Sequence, residues 1–97
     1  MKISVISTSH RKNSESKRIS KIFSDLIFEL NSSIECFNLD MFELNIPLWT
    51  SEKKENSNFW DNKVKQISSE LNSSDGFVFV VPEYGGMATP NSKNFFL

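Results

Sequence analysis

The chain has 97 residues, enough for one small domain. Its 38% apolar and 24% charged content fits a soluble globular protein and argues against disorder. A net charge of −1, with no long like-charged block, gives no basis for general electrostatic binding of nucleic acid.

Met1 to Ser7 holds an apolar run too short and too broken for a signal peptide. No stretch approaches the ~20 apolar residues that span a bilayer. The expected location is therefore the cytoplasm, with no membrane partner. Ile3 to Ile6 is a β-branched run and reads as a first strand. Ser7 to Ser14 is polar and reads as a loop. A helix follows, with Ile19, Ile22, Phe23, Leu26, Ile27 and Leu30 on one face at spacings of three and four. Ser14 fits its N-cap, and Glu15 suits the first turn of the helix dipole. Asn31-Ser32-Ser33 ends it. Ile34 to Leu39 reads as a second strand. The single cysteine, Cys36, lies within it and reads as a small buried hydrophobe. One cysteine excludes an intrachain disulfide and a cysteine-based metal site, and suits a reducing compartment.

Residues 40 to 56 read as a long connection. Phe42 and Trp49 are expected there to cover a sheet edge or a partner subunit, and the charges from Glu52 to Glu55 to be solvated. A second helix is expected from about Asn58 to Asn72, with Trp60, Val64, Ile67 and Leu71 as its apolar stripe. Gly76 marks a turn. Phe77 to Val81 is an uninterrupted apolar run, as in a parallel strand buried on both faces. It runs into Pro82-Glu83-Tyr84-Gly85-Gly86. Proline brings no amide donor, and two glycines permit a tight turn or a close backbone approach to a flat ligand. Pro90 suits the first turn of a further helix.

The order β-α-β-α-β-(α) implies a parallel sheet with right-handed crossovers. With a strand order beginning 2-1-3, the loop at Ser7 to Ser14 lies beside the loop at Pro82 to Met87, at a switch point where open α/β sheets bind ligands. The first loop offers hydroxyls, backbone amides, Arg11 and Lys12 ahead of a helix N-terminus, which together suit an anion. It contains neither G-x-x-x-x-G-K-[ST] nor G-x-G-x-x-G, so neither a P-loop nor a dinucleotide fingerprint is present. Read alone, it is also an ordinary capped strand-to-helix loop, and the glycine loop an ordinary βα turn. His10, the only histidine, reads as a solvent-exposed loop residue rather than a catalyst.

Four segments carry a resemblance. Val80-Val81-Pro82-Glu83-Tyr84-Gly85-Gly86-Met87 resembles the Pro-Glu-Tyr-Asn-Gly signature of NAD(P)H-dependent FMN reductases and related quinone reductases. Ser9-His10-Arg11-Lys12-Asn13-Ser14-Glu15-Ser16 is similar to their Gly-Ser-x-Arg-x-x-Ser-x-Asn phosphate loop. Thr89 to Phe96 resembles their Pro-x-x-x-Lys-Asn helix start, and Leu44 to Leu48 their leucine–proline–leucine segment. Thr8 and Asn13 stand where the family prefers glycine, and Ser16 and Gly85 where it prefers asparagine.

The resemblance implies an α/β, flavodoxin-like three-layer sandwich with a parallel sheet beginning 2-1-3. Residues 1–97 would be the N-terminal part of a single FMN-binding domain, truncated before strands 4 and 5 with the far edge of strand 3 unpaired. It also implies an NAD(P)H oxidoreductase. Hydride from NADPH or NADH would pass through bound FMN to a small acceptor such as a quinone, flavin, azo compound or metal oxyanion. The full-length protein would be a homodimer or tetramer. Ser9, Arg11, Ser14 and Ser16, with the amides of His10 to Asn13, would hold the FMN phosphate. Pro82, Glu83, Tyr84, Gly85 and Gly86 would line the isoalloxazine ring. No metal site and no catalytic side-chain set is expected. The alternatives are a truncated, catalytically inactive flavodoxin-like fragment and a non-redox phosphate-binding module.

Overall fold

The computed structural model describes residues 1–47 and 62–96. Trp49, Trp60, the charges from Glu52 to Glu55 and the expected helix start near Asn58 lie outside them. The elements run β1 (Lys2–Ser7), α1 (Glu15–Leu30), β2 (Glu35–Asp40), α2 (Met41–Leu44), α3 (Val64–Asn72), β3 (Gly76–Val80) and α4 (Pro90–Phe95). The sheet has the order β2-β1-β3, and both pairings are parallel. This is the α/β arrangement expected from the sequence. Among the described residues no helix is long and apolar enough to cross a membrane.

β1 is the central strand, so Val5 and Ile6 are fully buried. Its register aligns Ser4 with Phe37 and Phe77, and Ile6 with Leu39 and Phe79. These residues face α3. Ile6, Leu39 and Met41 form the core there, with Phe37, Ile67, Leu71, Phe79 and Phe95 packed against it. Polar pairs frame the strand's start: Lys2 bonds Glu70 and Ser73, and Ser4 Oγ lies 2.5 Å from Ser74 Oγ.

The opposite face is built differently. α1 begins as expected, with Ser14 Oγ accepting the Lys17 amide at 3.1 Å. Its sheet-facing residues are Ser16, Ser20 and Ser24, all buried. Ser20 Oγ donates to the Ser16 carbonyl, and Ser24 Oγ to Asn38 Oδ1. Small side chains at i, i+4 and i+8 let the helix lie close to the strands. Lys17, Lys21 and Asp25 flank a groove of ≈ 350 Å³ against Asn38, Asp40 and Glu43. At 3.6 residues per turn, Ile19, Phe23, Leu26 and Leu30 then lie on the other flank, toward β3. That flank is open: Leu26 is 50% exposed and Leu30 86%. The apolar stripe is thus real, but apart from the half-buried Ile27 it is not the surface that packs on the sheet.

Four expectations are corrected. The 40–56 connection contains the one-turn helix α2, capped by Asp40 Oδ1, which accepts the Phe42 amide; Phe42 itself is exposed. Cys36 is only half-buried, because β2 is an edge strand whose outer side has no neighbour among the described residues. β3 starts at Gly76, so that glycine opens a strand rather than a turn. It is not buried on both faces: Phe77 is 49% exposed, and β3 pairs only with β1 among the described residues.

Candidate functional site at the carboxyl ends of β1 and β3

The β1–α1 loop leaves the sheet at Thr8, a fully buried residue that extends the β1–β3 ladder. Its amide and its Oγ1 both lie 3.1 Å from the Val80 carbonyl. Ser9 is buried, and its Oγ accepts the Arg11 amide at 3.1 Å. Asn13 adopts φ +51°, a left-handed conformation in which asparagine is the best tolerated residue after glycine. This explains how asparagine serves at a position the resemblance assigns to glycine. The amides of Lys12 and Asn13 carry no hydrogen bond among the described residues. The Arg11 guanidinium likewise pairs with no carboxylate there. Free amides at a left-handed turn, a free guanidinium and the N-terminus of a 16-residue helix are chemistry that suits an anion.

The first turn of α1 also carries Glu15. Its carboxyl is held below the ordinary range by a hydrogen bond from Arg18, then by the charges of Arg18 and Arg11. Both Arg18 donors reach the same Glu15 oxygen, at 2.9 and 2.7 Å. Arg18 is thereby occupied, whereas Arg11 remains available. Lys17 is held by Glu43 at 2.6 Å, which raises its pKa, and lies 3.8 Å from Asp40 Oδ2.

The β3–α4 loop is a two-residue hairpin. Tyr84 and Met87 exchange both backbone hydrogen bonds, at 2.9 and 3.2 Å. Gly85 and Gly86 sit between them at φ +62° and +77°. Positive φ at both central positions defines a type I′ turn, for which Asn-Gly and Gly-Gly are favoured pairs. Gly85 therefore does the backbone work of the asparagine in the resembled signature. A Cβ at Gly85 would meet nothing within 4 Å, and at Gly86 only Glu83 Oε1 at 3.9 Å. The glycines are needed for backbone conformation, and they leave open backbone that a flat ring can approach. α4 then starts at Thr89, whose Oγ1 accepts the Ser92 amide, with Pro90 in the first turn as expected.

The two loops are joined side chain to backbone. Thr89 Oγ1 donates to the Thr8 carbonyl at 2.7 Å. The Asn91 backbone amide donates to His10 Nε2 at 3.0 Å, so Nε2 is the acceptor of this contact. Tyr84 Oη accepts the His10 amide at 3.3 Å and lies 3.4 Å from Ser9 Oγ. The Tyr84 and His10 rings are 5.6 Å apart.

Ser9, His10, Arg11 and Ser14 therefore gather around one turn, with Tyr84 beside them. Gly85 and Gly86 follow on the adjoining hairpin, and Pro82 and Glu83 lead from β3 into it. Ser16 is different: it is 5% exposed and belongs to the serine row packed on the sheet. Two of the expected cradle amides, those of His10 and Arg11, already have internal acceptors. Thr8, Thr89 and Asn91, which hold the loops together, had no assigned role in the sequence reading. Thr89 directly before Pro90 was the available signal, as a cap preceding a first-turn proline. Among the described residues no cluster of His, Cys, Asp or Glu could hold a metal ion.

No curated protein matches the chain. The family described as NADPH-dependent FMN reductase matches it over residues 1–96. With nearly the whole chain matched, and with the strand order and both loops in place, the chain belongs to the NADPH-dependent FMN reductase family.

Proposed function

We propose that the chain is an FMN-dependent NAD(P)H oxidoreductase of the flavin or quinone reductase type. The carrying observation is the junction of the two loops: Thr8 on Val80, Thr89 on Thr8 and Tyr84 on His10. It sets an anion cradle beside an open glycine hairpin, the two environments that a phosphorylated flat ring requires. Arg11, Ser9, Ser14 and the Lys12 and Asn13 amides hold the phosphate, with Ser16 supporting the turn from the sheet side. Pro82, Glu83, Tyr84, Gly85 and Gly86 line the ring. FMN supplies the hydride chemistry when bound, which removes the need for a catalytic side-chain set. The chain's own residues orient the ring, neutralise the phosphate and keep the hairpin rigid. NADPH or NADH is the donor. The acceptor is a small quinone, flavin, azo compound or metal oxyanion, and the active assembly is a dimer or tetramer.

The test is the visible spectrum of the purified chain with added FMN, followed by anaerobic NADPH. Retained flavin absorbance that bleaches with NADPH supports the proposal. A folded chain that retains no flavin contradicts it. One observation favours a second reading, a flavodoxin-like chain without activity. The α1 flank from Ile19 to Leu30 and the outer edge of β3 are uncovered among the described residues. That reading predicts a colourless or aggregating protein, because an uncovered apolar strand edge invites association.

A further inference from the structure

We infer that the Tyr84 hydroxyl reads the phosphate, making this site prefer flavin mononucleotide over unphosphorylated riboflavin. This rests on the FMN reading above and moves part of Tyr84's role from the ring to the phosphate end. A phenol has one hydrogen to donate and lone pairs to accept with. Tyr84 Oη accepts the His10 amide at 3.3 Å, which leaves its hydrogen for another acceptor. Ser9 Oγ, 3.4 Å away, accepts the Arg11 amide, and the two hydroxyls share one hydrogen bond that either can donate. Two hydroxyls thus stand together, each oxygen engaged by a backbone amide; one hydrogen lies between them and the other is free for an anion. The free Lys12 and Asn13 amides and the Arg11 guanidinium lie on the same turn.

A phosphate monoester accepts the free hydroxyl hydrogen, and takes the second by replacing the bond between the two hydroxyls. The terminal hydroxyl of riboflavin, uncharged and single, gains much less, since hydrogen bonds to charged groups are the stronger class. The hydroxyl's position is set from the ring side. The Tyr84–Met87 bridge fixes the backbone, and the His10 imidazole lies against the ring. Tyr84 is therefore a specificity-determining residue that ties the hairpin to the phosphate turn.

Tyr84→Phe keeps the ring and removes only the hydroxyl. Binding of FMN, riboflavin and inorganic phosphate to the 97-residue chain is measured by calorimetry, for wild type and variant. The expected result is a loss of about tenfold for FMN and a weaker loss for inorganic phosphate, with riboflavin unchanged. Ser9→Ala, which removes the neighbouring donor, is expected to erode the same FMN-to-riboflavin ratio. Equal losses for FMN and riboflavin would overturn the inference, as would tighter FMN binding, which would make the hydroxyl a competitor for the cradle. If the wild type binds phosphate but neither flavin, the FMN reading fails by itself. The phosphate comparison then decides the hydroxyl's role: weaker binding in the variant upholds it, and unchanged binding overturns it. A wild type that binds none of the three overturns both.

Discussion

The two faces of the sheet are built from opposite materials. Toward α3, Ile6, Leu39 and Met41 are buried among phenylalanines, with Phe79 packed on Phe95 and Phe96 at 5.7 and 5.0 Å. Toward α1, three serines meet the strands, and the helix turns its large apolar side chains aside. The first face supplies burial energy, and the second supplies proximity. A helix seated on serines lies close to β1 and β2, and its N-terminus is fixed near the carboxyl end of β1. That is where the anion turn needs it. The difference teaches that the amphipathic stripe of a helix need not be its docking face when small residues run alongside.

Substitutions can break this contrast, and they rank by size. Ile6→Ala removes a fully buried side chain at the centre of the α3 face, and should cost about 2–5 kcal/mol in denaturant unfolding. Should the cost fall below about 1 kcal/mol, the core would lie elsewhere. Ser20→Leu places bulk where the structure has serine against the sheet, and should cost about 1–3 kcal/mol through overpacking. If the variant is instead more stable, the α1–sheet contact is looser than described. Leu26→Ser, on the exposed flank of the same helix, should change stability by no more than about 0.5 kcal/mol and reduce light scattering. A large loss there would mean that the flank is buried in solution. The smallest effect is that of Glu15→Gln, which removes the Arg18 pairing on a fully exposed group. The folded pKa of Glu15 lies below the unfolded value. Its contribution is therefore present above the ordinary glutamate range, near pH 4.3, and disappears as pH falls through the folded value. Thermal melts of wild type and variant should differ slightly at pH 7 and converge in acid.

Much of this was legible because it depended on neighbours in sequence. Ser14 caps α1 through Lys17, three residues on, and Pro90 stands in the first turn of α4. Gly85 and Gly86 signalled a turn, and their positive φ values show which kind. The alternation of elements gave the parallel sheet, and the flavodoxin-like arrangement gave its order, which the structure shows. Other features depended on distant groups. The 3.6 period separates the faces of α1, but it does not say which one the sheet takes; that was decided by serine size against Val5 and Asn38. α2 is a single turn, too short to show a period, and its cap Asp40 is visible only in the structure. Cys36 sits in β2, which the expected 2-1-3 order already put at the sheet edge, so its half-burial follows from that order rather than from the residue type. The contacts that unite the site, Tyr84 on His10 and Thr89 on Thr8, join residues 74 and 81 positions apart, and no local pattern encodes them.

The claim that these two loops form one FMN site is tested most directly by flavin fluorescence titration of wild type against the Arg11→Ala, Tyr84→Ala double variant. The account predicts saturable quenching at one FMN per chain in the wild type. In the double variant, which should still unfold cooperatively, it predicts a loss of at least about a hundredfold in affinity, from one charge-assisted and one further hydrogen bond removed together. Undiminished FMN binding by the folded double variant would contradict it.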